Sequence, residues 1–298
     1  MAKINLYWFK IPDGSSNYGD ALNPFIITEL SGQKVRYIPY PYKWYNVPYQ
    51  YLHSLIRKSG IADFWGMIRS IFARKIIFCI GSIMHKHDKE GILVWGSGIG
   101  HSNWKIDNAE FKAVRGKETL KKLKEFGYNL PIAIGDPAIL LPILIPPSIK
   151  KYKIGIIPHY IQYHELVDNK ITEDFIIIDM KQDVHTVTEQ ITSCYYIASS
   201  SLHGLIVAQS YNIPALWVDF NCKNKLAGNN IKFRDYFSSV EIEPYEPIII
   251  NSFDINYFKK LFDDNDDKLL MKIELSKLQK GLLETAPFKI KKKYQIYS

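Results

Sequence analysis

Short apolar runs recur along this chain, and several of them stop on Gly or Ser. "INLYWF" leads into "DGSSNYGD", "KIIFCI" into "GS", "GILVW" into "GSGIGH" and "FKAV" into "RGKET". An apolar run of this length, broken by a residue that permits a turn, reads as a buried strand passing into a loop or a helix start. Helical patterns lie between some of the runs. In "KETLKKLKEFG", Leu120, Leu123 and Phe126 recur at helical spacing and Gly127 supplies the stop. "ALNPFIITELSG" is a second helix, with Pro24 expected in its first turn. Strands that alternate with helices predict a mainly parallel α/β sheet.

The chain has 298 residues, enough for one large domain or two of ordinary size. A break falls at "LPILIPPSIKKYK", where three prolines and then lysines read as a linker. A second series follows, with strands "KIGIIPHY", "DFIIIDM", "CYYIASSS" and "ALWVDF" and helices "DVHTVTEQITS" and "LHGLIVAQSYN". No repeat of solenoid period is present. The expected architecture is two Rossmann-like α/β domains, residues 1–147 and 148–298, facing a cleft. Ligands in such sheets bind beyond the carboxyl ends of the strands. The Gly/Ser-rich strand ends, Gly96 and Ser97 among them, are therefore candidate cleft lining.

Composition narrows the function class. With 47% hydrophobic and 23% charged residues the chain has the balance of a globular protein. No uncharged apolar run reaches the length of a membrane span, and "MAKINLYWFK" is too short in its apolar part for a secretion signal. Cys79, Cys194 and Cys222 have neither metal-ligand spacing nor an even framework, so buried thiols in a reducing compartment are expected. The expected location is the cytoplasm. The net charge of +8 suits an anionic ligand, a nucleic acid or an anionic membrane surface and does not choose among them. The absence of a basic stripe with interleaved aromatics argues against nucleic acid. The tail "KIKKKYQIYS", with Lys289, Lys291, Lys292 and Lys293, is either an ordinary solvated end or a peripheral contact with an anionic inner leaflet. His85 and His87 in "HKH", and His101, lack partner spacing for a metal, so none is expected.

The most informative stretch is "YYIASSSLHGLIVAQSYNIPALWVDF". Its strand delivers Ser199, Ser200 and Ser201 to a strand end, and a helix starts directly after. The unpaired N–H groups and the positive dipole end of that helix favour an anion such as phosphate or carboxylate. The serine hydroxyls add donors, and Gly204 lets a ligand approach the backbone. His203 can give such an anion a hydrogen bond or a proton. The plainer alternative is that Ser201 caps the helix and His203 packs on a neighbouring strand. His159, in "IIPHY", sits at another strand end. Arg115, closing the strand in "AVRGKET", offers a planar fork for carboxylate or phosphate, or else a surface ion pair. Asp136 in "GDPAILLP" either caps a turn before Pro137 or faces the cleft as a base, the first being preferred.

Together the segments "NYGDALNP", "IGSIM", "VWGSGI", "VRGKET", "IGDPAILLP", "IGIIPHY", "SSSLHGLIVAQSYNIPALW" and "FRDYF" resemble the polysaccharide pyruvyl transferase family. They run in the family's order, with "SSLHG" and "NYGD" the most distinctive. In "VRGKET", Gly116 and Thr119 stand where many relatives carry an Asp beside the Arg and a later Ser. The resemblance implies a fold like the GT-B glycosyltransferases. It also implies transfer of a pyruvyl group from phosphoenolpyruvate to a hexose of a cell-surface glycan or its lipid-linked precursor, as a ketal, with release of phosphate. Phosphoenolpyruvate is then a co-substrate and no cofactor is needed. In this sequence the resemblance assigns Arg115, Leu202 and His203 to the donor. His203 is then the candidate acid and Asp20 the candidate acceptor of the sugar proton, with helix capping as the alternative for Asp20. Asn17, Gly19, Gly96, Ser97, His159, Ser200, Ser201 and Gly204 complete the expected substrate-binding set. Two other readings remain: a glycosyltransferase using a sugar nucleotide, which should carry a ribose-binding acidic residue late in the second domain, a residue for which Glu241 or Glu243 could be misread, and a non-enzymatic scaffold of the same fold.

Overall fold

A computed structural model describes residues 3–11, 16–56, 63–85, 87–167, 173–224 and 229–297. The first sheet has six parallel strands: β1 (Ile4–Tyr7), β2 (Val35–Tyr37), β3 (Ile76–Phe78), β4 (Ile92–Trp95), β5 (Glu110–Val114) and β6 (Ala133–Ile134). Their order is β2-β1-β3-β4-β5-β6. The second has five: β7 (Tyr152–Ile157), β8 (Phe175–Ile177), β9 (Cys194–Ser199), β10 (Ala215–Asp219) and β11 (Ile248–Ile249). Their order, β11-β10-β9-β7-β8, repeats the pattern of the first sheet. In each, the chain reverses its direction of travel beside the first strand, between β1 and β3 and between β7 and β9. An open α/β sheet binds ligands at such a reversal, outside the carboxyl ends of the strands.

The central strands explain the apolar runs. Every residue of β3 and β4 and the last four of β7 are buried, as they must be when helices cover both faces of a parallel sheet. One cluster of buried side chains runs through both halves, from Leu6, Ile26 and Trp95 to Val187, Leu205 and Trp217. Polar ties reinforce the join. The Tyr18 hydroxyl meets Thr188 Oγ1 at 2.7 Å, and the Tyr18 N–H donates to the Met180 carbonyl at 2.6 Å.

The first helix starts earlier than the sequence suggested. It spans Tyr18–Ser31 with Asn17 as its N-cap, so Pro24 lies in the interior and not in the first turn. Proline there cannot donate to the carbonyl four residues back. The Asn23 side chain supplies a donor instead, bonding the Asp20 carbonyl at 3.2 Å. The same amide reaches the loop after β3, accepting from the Ile80 N–H at 2.8 Å. The residue before the proline thus ties the first helix to the cleft.

The last segment returns to the first sheet. The helix Leu275–Glu284 accepts a bond from Trp95 Nε1 on the Leu282 carbonyl (2.9 Å), and Gln279 Nε2 donates to the Ile139 carbonyl (2.9 Å). Beyond it, the Lys291 N–H donates to the Leu30 carbonyl at 2.8 Å, and Ile290 and Tyr294 are buried. The tail is therefore packed rather than a loose solvated end. Of its apolar residues only Ile296 and Tyr297 are exposed, which leaves little apolar surface for a membrane contact at this end. Among the described residues no helix is long and apolar enough to cross a membrane. The three cysteines are buried and unpaired with one another.

Candidate active site

Asn17, Asp20, Ser82, Arg115, His159, Ser201, Leu202, His203 and Lys232 share one cavity of ≈ 210 Å³ between the sheets. Phe9, Ile83, Tyr160 and Met180 give it apolar walls. These residues follow the carboxyl ends of β1, β3, β5, β7, β8, β9 and β10, so both strand-order reversals open into the same space.

The helix Leu202–Ser210 begins at the cavity, with Ser201 as its N-cap. Ser201 makes no side-chain cap bond, so capping does not account for that serine. Its backbone is instead set by Ser199, whose Oγ accepts from the Ser201 N–H (3.0 Å) and donates to the Ser201 carbonyl (2.8 Å). The first N–H groups of a helix have no partner within it, and here Ser201, Leu202 and His203 line the cavity beside them. His203 does not merely pack. Its Nε2 is buried 3.6 Å from Asp136 Oδ2, and neither atom has another hydrogen-bond partner. The ring lies so close to Gly19 that a Cβ there would fall 2.0 Å from Nδ1. Glycine in "NYGD" is thus explained by the histidine it accommodates.

Asp136 takes the capping role preferred for it and does not line the cavity. Oδ1 accepts from the Ala138 N–H at 3.0 Å and caps the short helix Pro137–Leu140. Oδ2 is left to face His203. The carboxylate comes from the first half and the imidazole from the second, so the pair spans the cleft.

Asp20 is not a helix cap. Asn17 holds that position, and Asp20 sits one turn in, at the third helical residue. Asn17 Nδ2 donates to Asp20 Oδ2, while the Asp20 N–H donates to Asn17 Oδ1 at 3.3 Å. The Asn17 amide thus meets both the backbone N–H and the carboxylate of Asp20. It fixes the Asp20 carboxylate at the cavity wall.

Arg115 lines the cavity, and the ion pair it makes is buried and not at the surface. Its guanidinium is fully shielded and its donors are engaged: Nε and Nη2 with Asp235 Oδ2 (both 3.0 Å), Nη1 with Ser82 Oγ (2.9 Å) and Nη2 with the Ile99 carbonyl (2.7 Å). Asp235 also accepts from the Thr119 N–H (2.8 Å) and hydroxyl (2.7 Å). The acidic partner missing beside Arg115 in "VRGKET" is supplied by "FRDYF" from the other half. Gly116 permits this, since a Cβ there would fall 1.7 Å from the Asp235 carbonyl oxygen. Arg115 and the Ser82 it bonds both line the cavity.

The cation placed most directly at the cavity is Lys232, which the sequence reading passed over. It lies in the first turn of the helix Ile231–Ser239, and no carboxylate among the described residues pairs with it. Burial, and secondarily the charge of Arg115, pushes its ammonium down to about 8. The available signal was its position, two residues before the matching "RD" of "FRDYF". Burial, with Lys232 nearby, likewise pushes His159 down to about 4, so its ring is neutral near pH 7.

Five expected residues stand behind the cavity rather than on it. Ser200 donates to Gln162 Oε1 (2.8 Å) and accepts from the His159 N–H (2.9 Å), so it positions the His159 loop. Gly204 allows the helix to sit on the sheet, since a Cβ would meet Ser199 Oγ at 2.5 Å. Gly19 makes room for His203, as described. Gly96, at φ +92°, passes under Pro137, and Ser97 Oγ donates to the Gly81 carbonyl at 2.7 Å. Elsewhere, His87 is buried edge-on against Phe78. Lys86, between the two histidines of "HKH", lies outside the described residues. Among the described residues no group of three or more His, Cys, Asp or Glu side chains is arranged to hold a metal.

A protein of Acanthamoeba polyphaga mimivirus, described only as uncharacterised, is 32% identical over 234 residues, covering 73% of this chain and 81% of that protein. The model of the family Polysaccharide pyruvyl transferase matches residues 17–221. That span holds every cavity residue except Phe9 and Lys232. The chain belongs to the polysaccharide pyruvyl transferase family.

Proposed function

We propose that this protein transfers a pyruvyl group from phosphoenolpyruvate to two hydroxyls of one hexose in a polysaccharide or its precursor, free or lipid-linked. The product is a pyruvate ketal and inorganic phosphate. The observation that carries the reading is His203, 3.6 Å from Asp136 at the open start of a helix, in a cavity shared with Lys232 and Asp20. We assign the architecture to the GT-B kind on its two parallel sheets facing one cleft, and the location to the cytoplasm.

The donor brings a phosphate and a carboxylate. Unpaired N–H groups at Leu202 and His203 and the ammonium of Lys232 suit two anionic groups. Arg115, which lines the cavity beside the Ser82 it bonds, adds positive charge for the donor. The enol carbon C2 becomes electrophilic when C3 takes a proton, and His203 Nδ1, the nitrogen turned away from Asp136, is the group assigned to give it. Attack by the first sugar hydroxyl forms one C2–O bond. The second hydroxyl forms the other as the bond to phosphate breaks. Of the two hydroxyl protons released, one balances the proton gained by C3 and the other leaves on phosphate. Asp20 is positioned to accept a hydroxyl proton. Cations and helix N–H groups balance the developing charge.

The sugar-nucleotide reading finds less support. Glu241 and Glu243 follow the far end of the helix that carries Lys232 at its start, and neither lines the cavity. The distinguishing experiment is a thermal shift series with phosphoenolpyruvate and with a sugar nucleotide. Stabilisation by the first and not the second is expected. The opposite pattern would replace pyruvyl transfer with glycosyl transfer.

A further inference from the structure

Helices Val47–Ile56 and Phe64–Phe72 are turned inside out relative to the rest of the molecule. Their buried residues are Val47 and Ser54 in the first and Gly66 and Ser70 in the second. Small and polar groups make the inner contacts: the Tyr40 hydroxyl meets Ser54 Oγ at 2.9 Å, and Ser70 Oγ accepts from the Tyr40 N–H at 3.2 Å. Their large apolar side chains point to solvent. Tyr49 is 64%, Ile56 81%, Trp65 68% and Phe72 76% exposed, and Trp44, just before the first helix, is 67% exposed. A helix pair in a globular protein buries its apolar stripe, and a contiguous exposed patch of this kind marks an interaction surface.

The charge around the patch selects the partner. Among the described residues from Lys34 to Lys75 there are six Lys or Arg and a single acidic residue, Asp63. Asp63 is already paired with Arg69 at 2.5 Å. Arg36 and Arg69 share a groove with Trp65, Ile68 and Phe72. A second groove holds Lys43, Arg74 and Lys89 with Trp44, Tyr45 and one carboxylate, Glu90. Aromatic side chains interleaved with cations, on helices too short to span, are the chemistry of a segment lying in the headgroup layer of an anionic bilayer. A second copy of the chain fits poorly, because a symmetric contact would bring this excess of positive charge against itself.

We infer that this face docks on an anionic lipid surface, and that it replaces the C-terminal tail as the membrane contact. The inference stands apart from the pyruvyl-transfer reading, because its test reads binding and not activity.

The test is co-sedimentation of the full chain with vesicles. One set contains phosphatidylglycerol and phosphatidylcholine in equal parts, the other phosphatidylcholine alone. The protein should pellet with the anionic set, less with the neutral set, and less again as salt is raised. Trp65→Ser with Phe72→Ser should lose the apolar part of the binding. Arg74→Glu with Lys75→Glu, a surface change outside the cavity, should weaken anionic binding at least tenfold, at roughly fivefold per charge removed. Circular dichroism confirms that each variant is folded. Absence of pelleting by the wild type, equal pelleting with both sets, or a dimer in sedimentation equilibrium that these substitutions dissolve would each overturn the inference.

Discussion

Two acid–base pairs cross from one half of the molecule to the other, and they are built in opposite ways. Arg115 and Asp235 are wholly buried and richly bonded, with Ser82, Ile99 and Thr119 taking up their remaining groups. His203 and Asp136 stand 3.6 Å apart, each with one buried polar atom that has no other partner. In the first pair every guanidinium nitrogen and both carboxylate oxygens have a partner, and arginine keeps its proton at any accessible pH. The second lies at the wall of the cavity and is incomplete. A buried, fully bonded pair stays where it is because either charge alone would be stranded. A loosely held imidazole beside a carboxylate and an open helix end is the arrangement that proton transfer requires. The comparison separates the clamp that holds the halves together from the group assigned to the chemistry.

The strongest way to break the comparison is to remove the clamp. Asp235→Ala strands the Arg115 guanidinium and should cost about 3–5 kcal/mol of stability, the usual penalty for breaking a buried pair from one side. Chemical denaturation measures it, and a loss below about 1 kcal/mol would mean that the pair is not the clamp. His203→Gln should behave in the opposite sense. Stability should change little, while turnover should fall by about 10²–10⁴-fold. Asp136→Asn keeps the cap on Ala138 and alters only the group facing His203. It should lower kcat by less than His203→Gln does, with the KM for phosphoenolpyruvate unchanged. A raised KM with constant kcat would assign Asp136 to substrate binding.

A smaller effect comes from Lys232. Burial pushes its ammonium down to about 8. Because the charged form is the one proposed to hold the donor, kcat/KM should fall as pH rises through that value. Lys232→Arg keeps its charge at any accessible pH, so the alkaline fall should vanish in the variant. A fall that persists unchanged belongs to another group. The smallest effect concerns His87, far from either pair. Burial pushes its imidazole down to about 4 from the ordinary 6.5. As pH drops, the unfolded chain takes up this proton first, so stability should be flat above 6.5 and decline between about 6.5 and 4. Denaturation across that window should show a shallower decline in His87→Leu, and identical slopes would remove His87 from the account.

Much of this was legible in the sequence, for identifiable reasons. Every strand named from an apolar run is present, because strands buried on both faces must be continuously apolar. The short edge strands β2, β6 and β11 were not found, since two or three residues give no pattern. The "SLHG" junction was readable because a strand end, a helix start and a histidine coincide there. The partner of Arg115 was not, because Asp235 is 120 residues away and no spacing rule reaches that far. Lys232 carried no signal of its own: one lysine among many shows its environment only when folded. The helices Val47–Ile56 and Phe64–Phe72 reverse the usual logic, since their apolar residues face outward.

The central claim is that His203 and the helix start beneath it carry pyruvyl transfer from phosphoenolpyruvate. The direct measurement is phosphate release from phosphoenolpyruvate in the presence of a glycan acceptor, with mass spectrometry of the acceptor, for the wild type and for His203→Gln. The account predicts that the wild type releases phosphate in step with the appearance of a pyruvyl ketal on the acceptor. It also predicts that the folded His203→Gln variant does neither at more than about a hundredth of that rate. Transfer by the variant at close to the wild-type rate would contradict it.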